Sequence, residues 1–242
     1  MKSFKSWLVI RVAVVFLVIS MVSACGIVSV VWIRDASRNE VVNLGDSIFA
    51  LSGKIHYYLQ SWSGQTFRRY CVSGAEIKGG IVPDVASQYA TAKSDHSYIK
   101  TIFMDGGGND ILIPAIAFDP YNCVSSTLST KCKGLIDDIY VDTVNLLNQM
   151  GRDGVKNIIF QGYYYTKAGV FGRTNLRSAI DYGDTRLAAA VKNATAASNY
   201  RVFIDPRSTI VNSDIIIDGV HPTDSGSKKL ATLIWAKLQP LL

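Results

Sequence analysis

Four short segments of this 242-residue chain hold residue types from which covalent chemistry can be built. In order they are Gly45-Asp46-Ser47-Ile48, Val72-Ser73-Gly74-Ala75, Gly106-Gly107-Gly108-Asn109-Asp110 and Asp218-Gly219-Val220-His221-Pro222. Together they offer a hydroxyl, an imidazole with a carboxylate three residues before it, and a side-chain amide on a glycine-rich loop. Attack on a carbonyl carbon needs such a set: a nucleophile, a base to take its proton, and N–H donors for the oxyanion that develops. Taken singly, each segment has a plainer reading. Gly-Asp-Ser can be a tight turn with an Asp cap, Gly74 a turn glycine, Asn109-Asp110 a helix-capping pair and His221 a loop histidine. Four such segments in order along most of the chain argue for one site.

These blocks resemble those of the SGNH (GDSL-type) hydrolases, whose name comes from the Ser, Gly, Asn and His of the four segments. The resemblance covers residues 41–233 and departs only in GDSI for the usual GDSL. It implies an α/β fold, a three-layer sandwich with a parallel, flavodoxin-like sheet. It further implies a serine hydrolase that cleaves carboxylic esters through an acyl-serine intermediate, with no metal and no organic cofactor. On that footing Ser47 is the nucleophile, His221 the general base and Asp218 the residue that fixes the imidazole. The backbone N–H groups of Ser47 and Gly74 and the side-chain amide of Asn109 form the oxyanion hole.

The implied activities run over esterases, lipases, lysophospholipases, thioesterases and carbohydrate O-acetylesterases, so the partner is a small-molecule, lipid or glycan ester. No long apolar lid segment is visible, which favours short-acyl or soluble esters. Two alternatives stay open: acyl or O-acetyl transfer to a glycan hydroxyl, and a non-catalytic envelope binding protein that kept the fold. Tyr163, Tyr164 and Tyr165 either wall the substrate pocket or simply pack. His56 and His96 lack a carboxylate or cysteine at ligand spacing and read as core or surface histidines. The glycines of Gly-Gly-Gly-Asn-Asp are too compact for a dinucleotide or P-loop fingerprint.

The elements that must hold these segments follow from hydrophobic patterning. Short apolar runs at 40–44, 101–104, 155–161 and 200–204 predict strands buried on both faces. Periodic stretches at 135–150, 176–193 and 227–238 predict helices, the first with Gly151 as its C-terminal stop. Strands alternating with helices predict a parallel sheet covered on both sides, with sites at the carboxyl ends of the strands.

With 48% hydrophobic residues the chain can fill one sizeable core. The expected organisation is 1–24 as signal peptide or membrane anchor, 25–39 as tether and 40–242 as the hydrolase domain. Three of the 25 basic residues (Lys2, Lys5 and Arg11) lie in the first segment, and without them 22 basic face 19 acidic residues. That balance, with no basic run interleaved by aromatics, argues against nucleic acid as a partner. Val22-Ser23-Ala24-Cys25 resembles a bacterial lipobox, with Cys25 the lipidated residue. Residues 12–33 carry no charge over 22 positions, which also suits an uncleaved anchor, and soluble secretion is a third route. All three place the domain outside a bacterial cytoplasm, and the expected location is the envelope, as a membrane-anchored lipoprotein. Cys123 and Cys132, nine apart, suit a disulfide in an oxidising compartment, whereas Cys71 suits a buried structural thiol. A monomer is expected.

Overall fold

The computed structural model describes residues 32–51, 53–196 and 198–242. The expected signal or anchor segment and Cys25 lie outside the described residues. Strands β1 (Arg38–Leu44), β2 (Phe67–Arg69), β3 (Thr101–Met104), β4 (Asn157–Gln161) and β5 (Tyr200–Ile204) form one sheet in the order β2-β1-β3-β4-β5. Every pairing is parallel, in register Val42↔Ile102, Ile102↔Ile158 and Ile158↔Arg201. This is the flavodoxin-like order, in which the chain reverses direction of travel across the sheet between β1 and β3.

Alternating side chains of these strands feed two separate cores, as a pleated sheet covered on both faces requires. Val42, Leu44, Ile102, Met104, Ile158 and Phe160 face one side. There they meet the helices α3 (Val85–Asp95), α5 (Thr130–Arg152) and α6 (Arg177–Asn193), reached between β2 and β5 in chain order. Val41, Phe103 and Ile159 face the other side. Their cover is α1 (Ser47–Ala50), α2 (Lys54–Ser63) and α7 (Asp224–Leu238). Helix α4 (Gly108–Ala117) leaves the end of β3 directly. The result is the predicted three-layer α/β sandwich.

Several boundaries differ from the sequence reading. β1 starts at Arg38, and Ile33 already exchanges backbone hydrogen bonds with Arg69 while Trp32 packs on Tyr70. β2 was not predicted because its Phe-Arg-Arg sequence lacks an apolar run. Its arginines are nonetheless buried, Arg68 donating to Asn39 O and Ala92 O, and Arg69 to Phe49 O and Ala50 O. Gly151 does not stop α5. It lies inside the last turn, where a Cβ would come within 3.0 Å of Ala196, and the chain turns out of the helix at Gly154, φ +92°. Cys123 and Cys132 are joined by a disulfide that ties the loop after α4 to the first turn of α5. Among the described residues no helix is long and apolar enough to cross a membrane.

Candidate active site

The turn carrying Ser47 is built at the carboxyl end of β1, beside the point where the strand order reverses. Gly45 leaves the strand at φ +143°, and a Cβ there would fall 1.9 Å from Asp105 Oδ1, so the position excludes any side chain. The Gln88 amide clamps this glycine from α3, accepting from Gly45 N at 2.8 Å and donating to Gly45 O at 3.0 Å. Asp46 then caps α1: Oδ1 accepts from Ile48 N and Oδ2 from the Tyr163 hydroxyl, each at 2.8 Å. Its own N–H donates to Asp105 Oδ1 at 2.8 Å. Ser47 is therefore the first residue of a helix, whose N–H has no partner within that helix.

Asp105 closes β3 and is fully buried. Burial pushes its carboxyl pKa well above the usual range, and the neighbouring Asp46 charge pushes it further. Asp46 is raised as well, by burial, against the opposing pull of Ile48 N–H, the Tyr163 hydroxyl and the His221 charge.

Asn109 sits in the first turn of α4, buried, and its Nδ2 donates to Ala75 O at 3.0 Å. The third block is thereby fastened to the second, next to Gly74, which stands at φ +83° in the turn after β2. One amide proton of Asn109 is thus engaged, and among the described residues the other has no partner. Tyr163 lies across Gly108, where a Cβ would come within 2.5 Å of the phenol ring. Asp110 accepts from Ile77 N at 3.0 Å, and burial lifts its pKa to about 7.

Asp218 and His221 form a local pair. Asp218 Oδ2 lies 2.6 Å from His221 Nδ1, while Oδ1 accepts from Val220 N at 2.9 Å and His221 N at 3.0 Å. Burial works against the Asp218 carboxylate, but the His221 hydrogen bond and charge and these backbone donors outweigh it, and its pKa is lowered. His221 Nε2 is buried and has no hydrogen-bond partner among the described residues. The loop is held from outside: Phe171 N and Gly172 N donate to Asp218 O, and the Tyr164 hydroxyl donates to Val220 O.

Ser47 and Asn109 line a common cavity, with Val220 at its edge. Among the described residues no hydrogen bond joins Ser47 to His221. Tyr163 and Tyr164 line that cavity, whereas the Tyr165 hydroxyl donates to Asp181 beneath the Arg177 guanidinium. His56 is a core residue stacked against Phe103, its pKa brought down to about 4 by burial and then by the Arg69 charge. His96 is at the surface beside Asp35. Cys71 is a buried thiol donating to Asn43 Oδ1, raised by burial far beyond the reach of ionisation. Asp105, Gln88 and Asp184 were not singled out from sequence. Asp184 accepts from Tyr163 N at 3.0 Å and holds the residue that holds Asp46.

No protein-family model matches the chain, and no curated protein matches it. Solved structures do. A catalytic mutant of an acetylxylan esterase from Geobacillus stearothermophilus is similar at 16% identity and TM-score 0.59, over 85% of this chain and 96% of that one. A carbohydrate esterase of family 3 from Talaromyces cellulolyticus is similar at 19% identity and TM-score 0.59, over 83% and 96%. An inhibitor-bound aryl esterase from M. smegmatis is similar at 13% identity and TM-score 0.55, over 84% and 99%. What the chain shares with them is the α/β fold across nearly their whole length.

Proposed function

We propose that the chain is an SGNH-type serine hydrolase that cleaves carboxylic esters, with Ser47 as nucleophile, His221 as base and Asp218 as its orienting partner. The observation that carries the reading is the Asp218–His221 pair, whose Nε2 has no hydrogen-bond partner among the described residues, together with the cavity lined by Ser47, Asn109 and His221's neighbour Val220. The solved structures that share the fold are esterases, which supports the same reaction class here.

The chemistry follows from the donors and acceptors. An ionised Asp218 needs a proton donor at 2.6 Å, so Nδ1 of His221 carries the hydrogen and Nε2 keeps its lone pair. Nε2 takes the Ser47 hydroxyl proton as Oγ attacks the ester carbonyl. The oxyanion is received by the N–H groups of Ser47 and Gly74 and by the second Asn109 amide proton, each such donor being worth about 2.7–4 kcal/mol of barrier. Protonated His221 gives its proton to the leaving alcohol, and water repeats the cycle on the acyl-serine. Residues 1–39 would hold this domain at the bacterial envelope, Cys25 being the lipidated position. Mass spectrometry of the membrane-extracted protein tests that part, an intact Met1 peptide excluding the lipoprotein.

The test of the reaction is release of nitrophenol from 4-nitrophenyl esters by the full chain. Hydrolysis by the wild type and its loss in Ser47→Ala, with an unchanged melting point, is the expected result. Equal rates in the two proteins would end the assignment.

A further inference from the structure

The cavity that opens beside Ser47 does not stop at the catalytic edge. It runs inward between α4, α5 and α6, over Ile111, Ile136, Ile139, Ala179, Gly183 and Leu187. Apart from Ser47 and Asn109, the surface its wall exposes is almost wholly apolar. Asp46 is taken by Ile48 N and the Tyr163 hydroxyl, Asp184 accepts from Tyr163 N, and the Arg186 guanidinium lies 3.9 Å over the Tyr140 ring. A sugar or a charged ligand entering the slot would lose its hydrogen bonds to water without replacement, whereas an alkyl chain would only gain contacts.

We infer that this slot is an acyl-chain site, which makes the enzyme selective for straight saturated acyl groups of intermediate length rather than for acetyl. The inference rests on the ester-hydrolase reading given above and extends it to the substrate. The space open to the centre of a water molecule is about 70 Å³. That volume admits a limited run of methylenes and not a long one, which places the best fit between acetyl and palmitoyl. An acetyl group fills only its mouth, and a palmitoyl chain exceeds it. The short-acyl preference expected from the absence of a lid segment concerns what covers the site. The slot concerns what lies beneath it, and it sets chain length.

Gly183 offers the cleanest way to close the slot. It lies within α6, and a Cβ there would meet only Ile111 Cδ1 at 3.7 Å, an ordinary contact. Gly183→Ala therefore fits the helix without displacing its neighbours, and Gly183→Leu projects a branched side chain into the space. The experiment measures kcat/KM of the full chain on 4-nitrophenyl acetate, butanoate, hexanoate, octanoate and palmitate. In the wild type the hexanoate-to-acetate ratio is expected to exceed about 10, and Gly183→Leu is expected to lower that ratio by about 10-fold or more. Gly183→Ala moves it in the same direction and carries the test if the leucine variant does not fold. Acetate as the best wild-type substrate, or a ratio unmoved in a folded Gly183→Leu, would overturn the inference while leaving the hydrolase reading intact. If no ester is cleaved, it is that reading that fails. The slot is then judged by the melting temperature with hexanoate against acetate. A rise with hexanoate that Gly183→Leu abolishes upholds it, and no rise overturns it.

Discussion

Replacing Asp218 by asparagine keeps the size of the side chain and changes only its pattern of donors and acceptors. In the folded protein Oδ1 of Asp218 accepts two backbone N–H groups, from Val220 and His221, while Oδ2 accepts from His221 Nδ1. An amide placed here must turn its oxygen toward the two backbone donors, because the opposite orientation would point NH2 hydrogens at N–H hydrogens in a buried turn. Its nitrogen then faces Nδ1. The imidazole answers by moving its proton to Nε2, and the base is left holding a hydrogen where it should have a lone pair. The expected loss is about 10⁴-fold in kcat, roughly 5.5 kcal/mol of barrier, with KM little altered because no substrate contact is removed. The folding cost is smaller, about 1.5–3 kcal/mol for the lost charge-assisted hydrogen bonds. Steady-state hydrolysis of 4-nitrophenyl hexanoate, run beside thermal unfolding, separates the two. A folded Asp218→Asn enzyme within tenfold of wild type in kcat would refute both the tautomer argument and the role given to His221.

Cys123→Ser opens a nine-residue loop. The expected loss is about 2–3 kcal/mol in the chain-entropy picture, or several degrees of melting temperature by calorimetry under oxidising conditions, with ester hydrolysis retained. An unchanged melting point would count against a structural role for the bond. Asp110, its pKa raised from 3.8 to about 7 mainly by burial, binds a proton in the folded state that the unfolded chain has already released across that interval. Stability therefore falls as pH rises from about 4 to about 7, by roughly 4 kcal/mol for this group, and the loss is complete above it. Asp110→Asn, whose oxygen can still accept from Ile77 N, is expected to flatten that decline in urea unfolding followed from pH 4.5 to 8. A slope equal to wild type would show that the carboxyl does not titrate as argued.

Four of the five strands, all but β2, and the three long helices were legible in the sequence because each is a run or a periodicity long enough to dominate its neighbours. So were the four blocks of the site, whose residue types are scarce in combination. β2 was not, since Arg68 and Arg69 read as surface charge, and only the tertiary structure supplies the carbonyls that let them be buried. The helix α4 begins inside the glycine run and contains Pro114, two signals that normally argue against a helix. The acyl slot was illegible for a different reason. Ile111, Ile139 and Gly183 belong to three helices far apart in the chain, and each looks like ordinary core until the empty space between them is seen.

The residues that support the nucleophile show the same limit. Gly45, Asp46 and Ser47 are contiguous, but what fixes their geometry comes from Gln88, Asp105, Tyr163 and, behind Tyr163, Asp184, drawn from four other parts of the chain. Asp105 is the most informative of them. A carboxyl fully buried beside Asp46 resists ionising together with it, and burial followed by the Asp46 charge pushes the Asp105 pKa well above the usual carboxylate range. Asp46 receives Ile48 N–H and the Tyr163 hydroxyl, while Asp105 accepts the Asp46 N–H through the gap that a side chain on Gly45 would fill. A reader of the sequence sees an aspartate at the end of a strand. Only the packing shows that this carboxyl and a second buried one together hold the turn that carries Ser47.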